Sequence, residues 1–158
     1  MKEERALREQ LQRVLGWEDA HVAFDAAVEG IPAELRGRRP DGLAWSAWEL
    51  VEHMRRTQFD ILDFCRNPGY EERDWPAEYW PAPNSQPTGA EWDECLAAYR
   101  ADRAALQQIA ADADLFAQIP HGSGQTYLRE LLLVADHTSY HVGQLIAVRR
   151  LLGLWPVA

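Results

Sequence analysis

The sequence is poor in cysteine and has no long apolar run. Cys65 and Cys95 are its only cysteines and form no CxxC pair, so we expect no disulfide framework and a reducing, cytoplasmic setting. No window approaches the roughly 18 uninterrupted apolar residues of a membrane span. The N-terminal stretch MKEERALREQLQRVLGWE also lacks the apolar core of a signal peptide. We therefore expect neither membrane association nor export.

Positive charge is also scarce. The chain carries 16 Lys and Arg residues against 25 Asp and Glu residues, which gives a formal net charge of −9. An acidic surface repels nucleic-acid phosphates and anionic lipid headgroups. Neither nucleic acid nor an anionic membrane surface is therefore an expected partner.

The sequence is rich in helical periodicity. Its 158 residues are 47% hydrophobic and 26% charged, which is typical of one globular domain covering residues 1–158. Apolar residues recur at three- and four-residue spacing in four segments, and no segment alternates like a strand. These segments run from about Glu3 to Glu29, from Ser46 to just before Asn67, from Thr88 to about Ala111, and from Thr126 to Leu152. Four amphipathic helices of similar length predict an all-α fold, a four-helix bundle.

Two helix starts carry a strong local signal. Ser46 is followed by Glu49, and Thr88 by Glu91, in the spacing of a capping box. In that motif the hydroxyl and the carboxylate satisfy free backbone amides of the first turn. Gly153 is the expected C-terminal cap of the last helix.

The stretch YEERDWPAEYWPAPNSQPTG, residues 70–89, holds four prolines and cannot form long regular structure. It also carries Trp75, Tyr79 and Trp80. One interpretation is a loop that crosses the bundle and buries its aromatic side chains. Another is a lid or a subunit contact, because long ordered loops are often functional. The two interpretations are compatible.

The stretch DHTSYHVGQL places two of the five histidines, His137 and His141, one helical turn apart on a face that is otherwise apolar. Side chains at this spacing can converge on one metal ion. His53 interrupts the apolar stripe of the second predicted helix in the same way, and is the natural third ligand. The alternative is a set of core histidines that are hydrogen-bonded to carboxylates.

Other sites fit less well. Thr138 follows His137, so the HExxH motif of zinc proteases is absent. The repeated Glu-x-x-His motif of di-iron bundles is also missing. His21 has acidic neighbours and His121 lies in a glycine-rich turn, so both are weaker candidates. Cys65 lies about 18 Å along the helix from His53 and is not an expected ligand.

Two carboxylates are candidates for proton transfer at such a site. Glu49 lies one turn before His53 and can orient its ring or accept a proton, although the capping box is the simpler account. Glu130 shares the face of the last two histidines. Four further residues are candidates to line the pocket: Trp45, Trp48, Tyr140 and Gln144.

Five stretches resemble the DinB-like (YfiT-type) metalloenzyme family: FDAAVEGIPAEL, WSAWELVEHM, RNPGYEERDWPAEYWP, DHTSYHVGQL and LIAVRRLLGLWP. The resemblance implies a four-helix bundle, often of up-down-down-up topology and often dimeric. It also implies one divalent metal ion held by His53, His137 and His141. Characterised members of the family include thiol-dependent transferases and isomerases that use bacillithiol or mycothiol.

Three imidazoles leave a metal ion its full charge and open coordination positions, which is typical of a catalytic site. Zn²⁺ and Ni²⁺ are the expected ions. The predicted function is a thiol-dependent S-transferase with a low-molecular-weight thiol as cosubstrate. The alternatives are a metal-dependent hydrolase and a non-enzymatic metal-binding bundle. We also expect a homodimer, because the seven tryptophans are many for this length and aromatic residues are enriched in subunit contacts.

Overall fold

The computed structural model describes residues 2–16 and 19–155, which contain five α-helices. They are α1 (Lys2–Val14), α2 (Phe24–Val28), α3 (Ala47–Arg66), α4 (Gly89–Asp112) and α5 (Tyr127–Leu151), with a short 3₁₀ turn at Ala33–Leu35. The described residues contain no strand beyond one isolated bridge between Gln118 and Thr126. The all-α prediction is confirmed, and the up-down-down-up topology stays a prediction. None of the described helices is long and apolar enough to cross a membrane.

The predicted first helix, Glu3–Glu29, is wrong as one continuous element. The structure has two helices there, α1 and α2, and the predicted helix also covers residues 17–18, which lie outside the described residues. Gly16, just past the end of α1, is a poor helix former. Ala23 has an extended backbone, with ψ 171°, and so starts a new helix.

The split of the first segment follows from where its apolar residues pack. Leu11 on α1 belongs to one core cluster, together with Ile61, Leu106 and Leu131. Phe24 on α2 belongs to a second cluster, whose large members include Leu50, Tyr99 and Leu145. The Phe24 ring stacks on the Tyr99 ring with centroids 3.8 Å apart. The two helices therefore contribute their apolar residues to different clusters.

The predicted caps are confirmed. Both capping boxes form, with the Ser46 and Thr88 hydroxyls accepting from the backbone amides of Glu49 and Glu91. Gly153 has a φ of 72°, and its amide donates to the Arg150 carbonyl. The next amide, of Leu154, donates to the Arg149 carbonyl, which completes the glycine-ended C-terminal cap of α5. The Ser46 box thus begins α3 and the Gly153 cap ends α5, the two helices that carry His53, His137 and His141.

The proline-rich loop between α3 and α4 lies against the bundle, as one of its two interpretations predicts. Tyr79 is buried, and the Trp80 ring stacks on the Trp45 ring with centroids 3.9 Å apart. Trp75 remains 66% exposed. A role of this loop as a lid or subunit contact stays a prediction.

Candidate metal centre

The packing of α3 against α5 brings His53, His137 and His141 together. One potential ligand atom from each ring lies within 4.8 Å of the others. Among the described residues, this is the cluster of histidine, cysteine and carboxylate side chains that is compact enough to hold a metal ion. The predicted convergence is confirmed, and metal binding itself stays a prediction.

The closest approach is between the Nε2 atoms of His53 and His137, which are 3.1 Å apart. Two imidazole nitrogens that bind one tetrahedral zinc ion, at roughly 2.0–2.1 Å each, lie roughly 3.3 Å apart. The two nitrogens therefore already have the spacing of a shared ion. The donor set of three imidazoles also suits zinc and nickel.

Burial keeps these imidazoles neutral at physiological pH. It lowers the pKa of His53 to about 4, with smaller contributions from the charges of His141 and Arg56. Burial and the two neighbouring histidines lower the pKa of His137 to about 3. Burial also lowers the pKa of His141. A metal ion binds only the neutral ring, so the cluster needs no deprotonation to bind one near pH 7.

Hydrogen bonds orient two of the rings. His53 Nδ1 lies 2.9 Å from the backbone carbonyl oxygen of Tyr79, which can only accept. Nδ1 therefore carries the proton and Nε2 holds the free lone pair. His141 Nδ1 lies 2.7 Å from Gln144 Oε1, which has the same effect on that ring. The Trp80 ring stacks on the His53 ring, with centroids 3.7 Å apart and planes 4° apart.

The three histidines form part of the wall of a pocket of about 760 Å³. Most of the remaining lining is aromatic or proline, from Trp45, Trp75, Pro76, Trp80, Pro81, Pro83 and Tyr140, with Ala77, Glu49 and Gln144. Trp75 and Tyr140 are 66% and 63% exposed, so the pocket reaches the surface of the described structure. The expectation that Trp45, Tyr140 and Gln144 line the pocket is confirmed. Trp48 does not line it and instead donates to the Ser85 hydroxyl.

Glu49 lines this pocket, but the residue is only 1% exposed and its carboxylate already accepts hydrogen bonds from other residues. One oxygen accepts from Arg39 Nε and the Ser46 amide, each at 2.8 Å. The other accepts from Arg39 Nη2 and the Asn84 amide. Burial acts to raise the pKa of Glu49, but these bonds outweigh it and lower the pKa to about 2. Its role in proton transfer stays a prediction, and the structure gives it a structural role.

Glu130 is buried on α5 as its spacing indicates, but it lines a different pocket, of about 430 Å³. It accepts from Arg129 Nη1 at 2.7 Å there. Its predicted part in catalysis is untested, and the histidine pocket is lined by other residues.

The weaker candidates lie outside the cluster. His21 is exposed and lies 3.3 Å from the Ser139 hydroxyl, and His121 lies 2.8 Å from the Phe64 carbonyl oxygen. Cys65 and Cys95 are free and buried, and burial raises the pKa of both thiols. The sequence did not predict that the Tyr79 carbonyl would accept from His53 or that the Trp80 ring would stack on it. The aromatic residues of the loop were the one sequence feature that pointed to these contacts.

The sequence profile of the DinB superfamily matches residues 17–145, most of the chain and all three histidines. No curated protein and no solved structure matches the chain.

Proposed function

Because the chain belongs to the DinB superfamily and its three histidines converge, we propose that it is a metal-dependent enzyme that transfers a low-molecular-weight thiol to a small electrophile. His53, His137 and His141 would hold one divalent ion, with zinc or nickel the best fit to the donor set. A bound ion of this kind lowers the pKa of a thiol or a water molecule that occupies an open position beside it.

The observation that carries the proposal is the position of three imidazoles in the wall of a large pocket. A site that only held helices together would be closed by a fourth protein ligand. Here the histidines face a space of about 760 Å³, which has room for a small substrate.

Among the described residues, no cysteine lines this pocket. Both cysteines are buried, and neither lines the space around the histidines. A thiol from solution supplies the nucleophile in the proposed reaction. It loses its proton to solvent, its sulfur forms a bond to the electrophilic carbon, and the leaving group departs with the electron pair of the broken bond.

A thiol suits the site better than water. Hydrolysis by an activated water depends more on a positioned protein base. Glu49 is the carboxylate in the lining, and its two oxygens already accept four hydrogen bonds. A thiol, with its lower intrinsic pKa, needs less help to become a thiolate.

Two further proposals concern the oligomeric state and the cellular location of the protein. We propose that the protein is a homodimer, because the described surface exposes large aromatic residues such as Trp75, Phe116 and Tyr140. We also propose that it works in the cytoplasm, where its two free cysteines stay reduced.

The reaction is tested with metal-loaded protein and monochlorobimane, assayed with and without a panel of low-molecular-weight thiols. We expect turnover that requires both the thiol and the metal, with release of chloride. His53→Ala abolishes this turnover, whereas His121→Ala, which removes an exposed histidine outside the cluster, retains it. Thiol-independent hydrolysis of esters or amides would replace the transferase with a hydrolase. Absence of both reactions would favour a non-enzymatic metal-binding bundle.

A further inference from the structure

Asp60 is a buried carboxylate that the proposed reaction does not use. It lies on α3 and is 8% exposed. It accepts a hydrogen bond from the Tyr79 hydroxyl at 2.8 Å and from the Tyr70 hydroxyl at 3.2 Å. Arg73 forms an ion pair with it at 3.5 Å. All three of these contacts come from the loop that follows α3, so Asp60 fastens this loop to the helix.

Tyr79 connects Asp60 to the metal centre. Its side-chain hydroxyl binds Asp60, and its backbone carbonyl accepts from His53 Nδ1. On either side of Tyr79, the carbonyls of Glu78 and Trp80 accept from Arg56 Nη1, at 3.2 and 2.9 Å. Arg56 and Asp60 are one turn apart on the same helix as His53. Arg56 and Asp60 of α3 thus hold the loop segment around Tyr79, and the Tyr79 carbonyl orients His53 of the same helix.

The carbonyl position matters because it selects the tautomer of His53. With a carbonyl at 2.9 Å, the ring keeps its proton on Nδ1 and presents the Nε2 lone pair to the other histidines. If the carbonyl moves away, the proton can occupy either nitrogen and the ring can rotate. The fraction of the protein that is ready to bind a metal ion then falls.

We infer that Asp60 is a positioning residue of the metal centre, which acts through the Tyr79 hydroxyl to place the Tyr79 carbonyl against His53. The inference rests on the proposed metal site, but not on the reaction proposed for it.

The chain offers a closely matched pair of variants. Tyr79→Phe and Tyr70→Phe each remove one phenol hydroxyl from the same carboxylate. Only Tyr79 also contacts His53 through its carbonyl. A role of Asp60 that is merely structural predicts the same outcome for both variants, whereas a positioning role separates them.

Zinc affinity is measured by competition with a chromophoric chelator. Removing groups that support a metal ligand typically weakens affinity roughly 10–100-fold, so we expect about a tenfold loss in Tyr79→Phe. Tyr70→Phe should stay within about twofold of the wild-type affinity, because its hydroxyl is not linked to a ligand. Urea unfolding of both metal-free variants shows that each is folded and reports any common loss of stability.

The second readout needs no metal. Long-range ¹⁵N–¹H spectra of metal-free protein should show His53 with its proton on Nδ1 in the wild type and in Tyr70→Phe. A mixture of tautomers is expected in Tyr79→Phe and in Asp60→Ala, because each removes the hydrogen bond between the Tyr79 hydroxyl and residue 60. If the wild type bound no zinc, the proposed function would fail, but the tautomers would still test this inference. Equal zinc affinity in the two Tyr→Phe variants, with the same His53 tautomer, would overturn it.

Discussion

The substitution Glu49→Gln removes the charge of the carboxylate that lines the histidine pocket. Glu49 accepts two hydrogen bonds on each oxygen, from Arg39 on both and from the backbone amides of Ser46 and Asn84. Glutamine keeps the size of the side chain but replaces one oxygen with a donor NH₂ group. In either orientation of the amide, two of the four donors then face another donor.

The size of the effect follows from two arguments. If the pKa of Glu49 is 4.5 in the unfolded chain and about 2 in the folded one, the shift contributes at most about 3 kcal/mol of stability. Hydrogen bonds to a charged group are worth roughly 1.5–3 kcal/mol each, and loss of two is partly offset by those that remain. We therefore expect Glu49→Gln to lower the free energy of unfolding by about 2 kcal/mol at pH 7.

The sign of the pH dependence follows from the lowered pKa. The folded state holds the ionised carboxylate, so its contribution is complete above pH 4.5 and is lost as the pH falls toward about 2. Urea titrations in EDTA, at several values between pH 7 and pH 3, compare the wild type with Glu49→Gln. The difference between the two should shrink as the solution becomes more acidic.

The matched control is Glu91→Gln, the same change in the other capping box. Glu91 is exposed and accepts hydrogen bonds from the Thr88 amide and hydroxyl, whereas Glu49 also accepts from Arg39. Its loss of stability should be much smaller. A loss below about 1 kcal/mol in Glu49→Gln, or a difference from the wild type that does not change with pH, would refute the reasoning.

Three further outcomes are expected. Leu106→Ala should lower the free energy of unfolding by about 3 kcal/mol in urea titrations, because Leu106 is fully buried and a core relaxes only partly around a cavity; a loss under about 1 kcal/mol would contradict this packing. Thr88→Ala should cost about 1 kcal/mol by the same measurement, since it removes the N-terminal cap of α4, and an unchanged stability would argue against that cap. Light scattering at micromolar concentration should give the mass of a dimer, and a monomer mass would exclude the proposed assembly.

The parts of the fold with local signals were predictable from sequence. The starts of α3 and α4 follow from capping boxes at Ser46 and Thr88, and the end of α5 from Gly153. The meeting of His53 with His137 and His141 was also predictable. Each breaks an apolar helical face, and such faces must pack on one another.

The parts that depend on tertiary contacts were not predictable. Gly16 is a local signal for the end of α1, but the start of a separate helix α2 follows from the separation of the two core clusters, which is a tertiary feature. His53 donates to the backbone carbonyl of Tyr79. Every residue has a backbone carbonyl, so the sequence does not indicate which one His53 contacts. Glu49 could be read as a cap or as a base, and only the positions of Arg39 and Asn84 show how its oxygens are used.

The central claim is that His53, His137 and His141 hold one divalent metal ion, and calorimetric titration with Zn²⁺ and Ni²⁺ tests it most directly. The protein is first stripped of metal, and the wild type is compared with His137→Ala and with His121→Ala as the control for surface histidines. We predict one ion per chain in the wild type and in His121→Ala, and loss of stoichiometric binding in His137→Ala. Unchanged affinity in His137→Ala, or no stoichiometric binding in the wild type, would contradict the account.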